Sequence, residues 1–92
     1  MAKKEFTVER VQTGVKIEKR ILKVLKGLAE YFDITVGDLL EGIVLHAFEG
    51  KAPFQDSTQE KIEQLKGVYE MDYGSEASHK MVEDGEARGT GQ

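Results

Sequence analysis

Residues 10–17, Arg-Val-Gln-Thr-Gly-Val-Lys-Ile, carry a strand pattern for which the chain has no second strand. Val11, Thr13, Val15 and Ile17 alternate with Arg10, Gln12, Gly14 and Lys16, the period of two expected where one face of a strand is buried. An isolated strand leaves its N–H and C=O groups without partners. Two arrangements answer that need. The segment pairs antiparallel with the same segment of a second copy about a two-fold axis, or it folds back as a hairpin about Gln12-Thr13-Gly14 against Phe6 and Val8. The unbroken alternation over 11–17 favours the first. Phe6 and Val8 fall on the opposite parity, so residues 1–9 are expected to be a flexible basic arm.

From residue 18 the period changes. Ile21, Leu22, Val24, Leu25, Leu28, Ala29 and Phe32 recur at three- and four-residue steps, with Lys19, Lys23, Lys26 and Glu30 between them. This spacing predicts an amphipathic helix over 18–32. Asp33 ends it, because Asp tolerates the left-handed conformation of helix termini. Thr35 and Asp38 resemble a capping box that opens a second helix. Its body, Leu39, Leu40, Ile43, Val44, Leu45, Ala47 and Phe48, is apolar nearly all round and closes at Gly50. Such a helix needs cover on more than one side. Gly42 within it suggests close approach of another backbone, since an interior Gly costs up to about 1 kcal/mol against Ala. After Pro53, Ser57 and Glu60 form a second capping pattern before a third helix at about 58–70 with the stripe Ile62, Leu65, Val68 and Tyr69. Ser75 is expected to start a short fourth helix with Ala77, Met81 and Val82, ended by Gly85. Leu65 and Tyr69 of the third helix are expected to cover Leu45 of the second.

A chain of 92 residues is expected to be one domain, and the strand and first two helices, about 40 residues, are of the size that usually needs oligomerisation. The tail 85–92 is rich in Gly and charge and is expected to be disordered. With no Cys, disulfides, thiolate nucleophiles and Cys-bound zinc are excluded. The first residues lack the apolar run of a signal peptide, and no stretch approaches the roughly 20 apolar residues of a membrane span. A cytoplasmic protein without membrane contact is therefore expected. Charge is divided unevenly: residues 1–26 hold eight Lys or Arg and three acids, whereas residues 27–92 hold five Lys or Arg and 14 acids. A basic front suits a polyanion, and an acidic remainder suits solubility or a protein partner.

The run Ile21 to Leu40 resembles the ribbon-helix-helix family of DNA-binding proteins (Arc, MetJ and CopG type). The likeness lies in a strand ending about four residues before the first apolar helical pair, Leu28-Ala29 near the end of the first helix, the turn Ile34-Thr35, and Leu39-Leu40 after the cap. It covers residues 10–50. It implies a mainly α fold with one short strand (β-α-α), forming a homodimer through a two-strand intermolecular ribbon, with residues 54–84 as a helical extension. The resemblance assigns Gln12, Gly14 and Lys16 to base edges in the major groove, where Gln suits adenine and Lys suits guanine; Gly14 has no side chain with which to read a base. Phosphate contacts are expected at the start of the second helix, from Thr35, Val36 and Gly37, with Asp38 opposing them, and from Lys3, Lys4, Arg10, Lys19 and Lys23. The expected dimer interface comprises Val11, Thr13, Val15, Ile17, Leu39, Leu40, Ile43, Val44 and Phe48.

The expected function is a sequence-specific DNA-binding repressor or autoregulator, with an antitoxin variant in which residues 54–84 bind a protein partner. The alternative is a dimerisation or adaptor protein of the same fold that does not bind DNA, which Gly14, Asp38 and the acidic remainder favour. An enzyme is not expected. His46 and His79 are the only histidines and neither has a second ligand at metal spacing, and no Gly-rich phosphate loop or nucleophile elbow occurs. No metal and no cofactor are expected.

Overall fold

The strong amphipathicity of Lys19–Phe32 makes it the centre of the molecule. In this computed structural model, which describes residues 5–83, that helix (α1) is flanked by α2, Val36–Phe48, and α3, Asp56–Val68. Both pack on α1, and they do not pack on one another. A single 3-10 turn follows at Ser75–Ala77. The core is small: Val24, Leu28 and Ala29 of α1 and Leu39 of α2 are buried, with Leu25, Val36, Ile43, Phe54, Ile62 and Leu65 packed around them.

The helix boundaries follow from local chemistry. Glu18 caps α1 through its carboxylate, which accepts from the Arg20 N–H. Thr35 caps α2, its hydroxyl oxygen accepting from the Asp38 N–H at 3.0 Å. α3 starts earlier than its pattern suggested: Gln55 stands at the cap without a side-chain bond, so the Ser57–Glu60 box is not used. All three helices end alike. Asp33, Gly50 and Glu70 take positive φ of 60°, 70° and 58°. Beyond them, the N–H groups of Ile34, Lys51 and Met71 bond back to Ala29, His46 and Lys66 carbonyls. This six-to-one closure satisfies carbonyls that a helix end leaves open.

The expected ribbon is not present. Among the described residues there is no strand, and the fold is helical throughout rather than β-α-α. Residues 5–17 run extended without secondary structure, and Val11 and Val15 are 79% and 74% exposed. The physical reason is that alternation specifies a strand only where a sheet edge receives it. The regular elements of the rest of the described chain are helices, which bond within themselves and offer no edge. The hairpin alternative fails too, because Gly14 is not at positive φ and nothing approaches it.

Four other expectations are corrected. The fourth helix is one 3-10 turn, followed by irregular chain to residue 83. Leu45 is 62% exposed and uncovered by α3. Leu65 packs instead on Gly27 of α1, where an added Cβ would stand 3.0 Å from Leu65 Cδ2. The close backbone approach expected at Gly42 is not present, since Gly42 has open space above it; the glycine in close contact is Gly27, and what meets it is the Leu65 side chain. In the α3 stripe Ile62, Leu65 and Tyr69 are half-buried, but Val68 points outward.

Candidate functional site

Helical periodicity turns α1's sequence into two faces. Its apolar residues enter the core, so Lys19, Lys23 and Lys26, at steps of four and three, fall on the exposed side. Lys16 precedes them on the exposed chain. None of these four lysines stands in an ion pair among the described residues. Arg10, Arg20, Lys51 and Lys66 all do. Lys23 lies 5.7 Å over the Tyr69 ring, which orients its ammonium without neutralising it. α1 thus sets Lys19 and Lys23 of the expected contacts on one side with Lys26, which the sequence placed on the outer face but not in the site, and Lys16 is exposed three residues before the helix.

Other expected contacts are arranged differently. Arg10 is clamped by the Glu41 carboxylate of α2 in two bonds, of 2.9 and 2.8 Å, and that bond holds Glu41 below its ordinary range. Arg10 is therefore engaged with an acid rather than presented with the lysines. Gln12 and Gly14 are exposed on the extended segment. Thr35 and Gly37 are exposed at the start of α2 and Val36 is half-buried, with the Thr35 hydroxyl already used as the cap. Lys3 and Lys4 lie outside the described residues, as do Asp84 of the expected extension and the tail 85–92.

Of the expected interface residues, Leu39 is consumed by its own chain's core and Ile17 is half-buried. Val11, Thr13 and Val15 are exposed without forming an interface within the chain. Leu40 and Ile43 are half-buried, whereas Val44 and Phe48 remain on an open apolar face of α2 with Leu45. Phe48 is 80% exposed.

One polar cluster was not legible in the sequence. The Glu18 carboxylate accepts from the Tyr73 hydroxyl and from Arg20. Arg20 in turn donates to the Glu70 carbonyl and the Asp72 carboxylate, and lies 5.2 Å from the Tyr73 ring centre. The Tyr73 bond chiefly, and Arg20 with it, draws the Glu18 pKa down to about 2. Partial burial first, then the Glu18 carboxylate, pushes the Tyr73 pKa up to about 12. The cluster ties the segment after α3 to the start of α1. No signal short of the fold links residues more than 50 positions apart.

No group of three or more His, Asp or Glu is arranged to hold a metal among the described residues. His46 is exposed with Nδ1 2.7 Å from the Gly42 carbonyl oxygen of its own helix, and His79 is exposed. No helix among the described residues is long and apolar enough to cross a membrane. No protein-family model, curated protein or solved structure matches this chain.

Proposed function

We propose that this protein is a homodimeric, cytoplasmic DNA-binding regulator, acting as a binding protein rather than a catalyst. The observation that carries the reading is the row Lys16, Lys19, Lys23 and Lys26, left without carboxylate partners in a chain of net charge −4. Most of the protein's other described cations are neutralised locally. A row of free cations along one edge of a helix matches the regular phosphates of a duplex and supplies a salt-dependent, sequence-independent attraction. Gln12 on the adjoining exposed segment supplies a group able to bond a base edge. The uncovered apolar face of α2 supports pairing with a second copy, which would double the basic row.

Fluorescence anisotropy against the protein's own promoter and a random duplex tests the reading. Lys23→Ala and Lys26→Ala should each weaken binding to both duplexes and lower the slope of log K against log salt by about 1. Gln12→Ala should weaken the promoter complex more than the random one. Undetectable affinity at low salt ends the proposal. In that case the dimeric adaptor reading takes its place, favoured by Asp38 at the exposed start of α2, where its carboxylate repels phosphate.

A further inference from the structure

Because α2 and α3 each contact α1 but not one another, an open groove of about 410 Å³ lies over α1 between them. Leu25 and Leu28 form part of its floor, Ile43 and Ile62 stand on the two helices, and Met71 and Met81 belong to the segment beyond α3. Its chemistry narrows the occupant. The one charged side chain lining it, Lys66, is paired with Glu63 at 3.8 Å. The Tyr73 hydroxyl is donated to Glu18. No buried side-chain polar atom among the described residues lacks a partner. The remaining polar side chains of the lining are the hydroxyls of Ser75 and Ser78 at its outer wall, which suits an apolar occupant better than a charged one, and polarizable methionines adapt well to an apolar side chain.

The chain carries a matching apolar surface on the same helix that walls the groove. Val44, Leu45 and Phe48 project from α2 beside Ile43. An isologous dimer requires a donor face and an acceptor groove on each copy, so that each gives what it receives. On and beside α2, Glu41 is paired with Arg10 and Glu49 with Lys51, and the carboxylate outside an ion pair, Asp38, lies in the first turn, at the opposite end of the helix from Phe48. We propose that Phe48 and its neighbours on α2 of a second copy enter this groove, and that residues 71–81, held to α1 by Glu18, Arg20 and Tyr73, form the outer wall of the dimer interface. This rests on the homodimer reading above and adds to it the place of contact and a task for the segment after α3.

The absence of cysteine makes the contact directly testable. Two variants are prepared separately, Ala47→Cys on α2 and Ser78→Cys on the groove wall, then mixed and treated with a short bismaleimide. Both positions are exposed and both changes are small, so folding is preserved. The expected result is a 47–78 cross-link between copies, formed at least tenfold faster than one between Ala47→Cys and Gln59→Cys on the exposed side of α3. Sedimentation of Phe48→Ala should show a dissociation constant raised at least tenfold with helicity unchanged, because Phe48 is already exposed in the single chain. A dimer whose 47–78 cross-link does not exceed 47–59, or whose affinity ignores Phe48→Ala, overturns the groove docking and leaves dimerisation standing. A monomer at all concentrations overturns both.

Discussion

Glu70 shows at the scale of one residue how this fold stores a small conformational strain. It ends α3 at φ 58°, a region that disfavours any residue with a Cβ, while its carbonyl is held by Arg20. Glu70→Gly should raise stability by about 0.5–1 kcal/mol, the relieved strain exceeding the added freedom of the unfolded chain; chemical denaturation reads it. The Glu18–Tyr73 pair gives a pH signature with two limbs. The folded Glu18 pKa, about 2, lies below its ordinary 4.5, so its contribution is complete above about pH 4.5 and lost as the pH falls toward 2. The folded Tyr73 pKa, about 12, lies above its ordinary 10, so its contribution is complete below about pH 10 and lost as the pH rises through 12. Tyr73→Phe should flatten both limbs in thermal melts across pH, and a profile unchanged from the parent would show that the pair does not hold the segment. The caps at Thr35 and Asp33 were readable from sequence because they are short-range chemistry. Glu70 was not, since its residue type argues against the conformation that the six-to-one closure imposes.

At the scale of elements, the three helices were legible because each apolar stripe repeats at the helical period whatever lies beside it. What each stripe meets was not. Leu65 was expected against Leu45, yet it packs on Gly27, where the missing Cβ leaves room for its side chain. Gly27→Val should cost about 1–3 kcal/mol by overpacking against Leu65. A matching substitution at Gly42, which faces open space, should lack that clash; parallel urea unfolding compares them. The extended segment 5–17 makes the opposite point. Its period of two is real, but a hydrogen-bonded strand is a property of two segments, and the chain provides one. Among residues 7–17 the one side chain hydrogen-bonded to a helix is Arg10, in its exposed clamp on Glu41.

At the scale of the molecule, a core of four buried side chains among the described residues sits beside an open groove and an uncovered α2 face. Few small domains are stable on so little burial, and the proposed pairing would bury both apolar surfaces at once. Its thermodynamic consequence is mass action: the melting temperature should climb with protein concentration in differential scanning calorimetry. A melting temperature independent of concentration would mean that the single chain carries its own stability.

The sequence by itself determined the three helices, most of their ends, the lysine row along α1 and the apolar excess of α2, because all of these follow from periodicity and capping between near neighbours. Only the tertiary structure decided that residues 10–17 lie unpaired, that Leu39 belongs to its own chain's core while Phe48 does not, and that Tyr73 closes on Glu18. Those outcomes depend on which surfaces meet across tens of residues, and contact between distant segments is set by the geometry of packing, which no local pattern encodes.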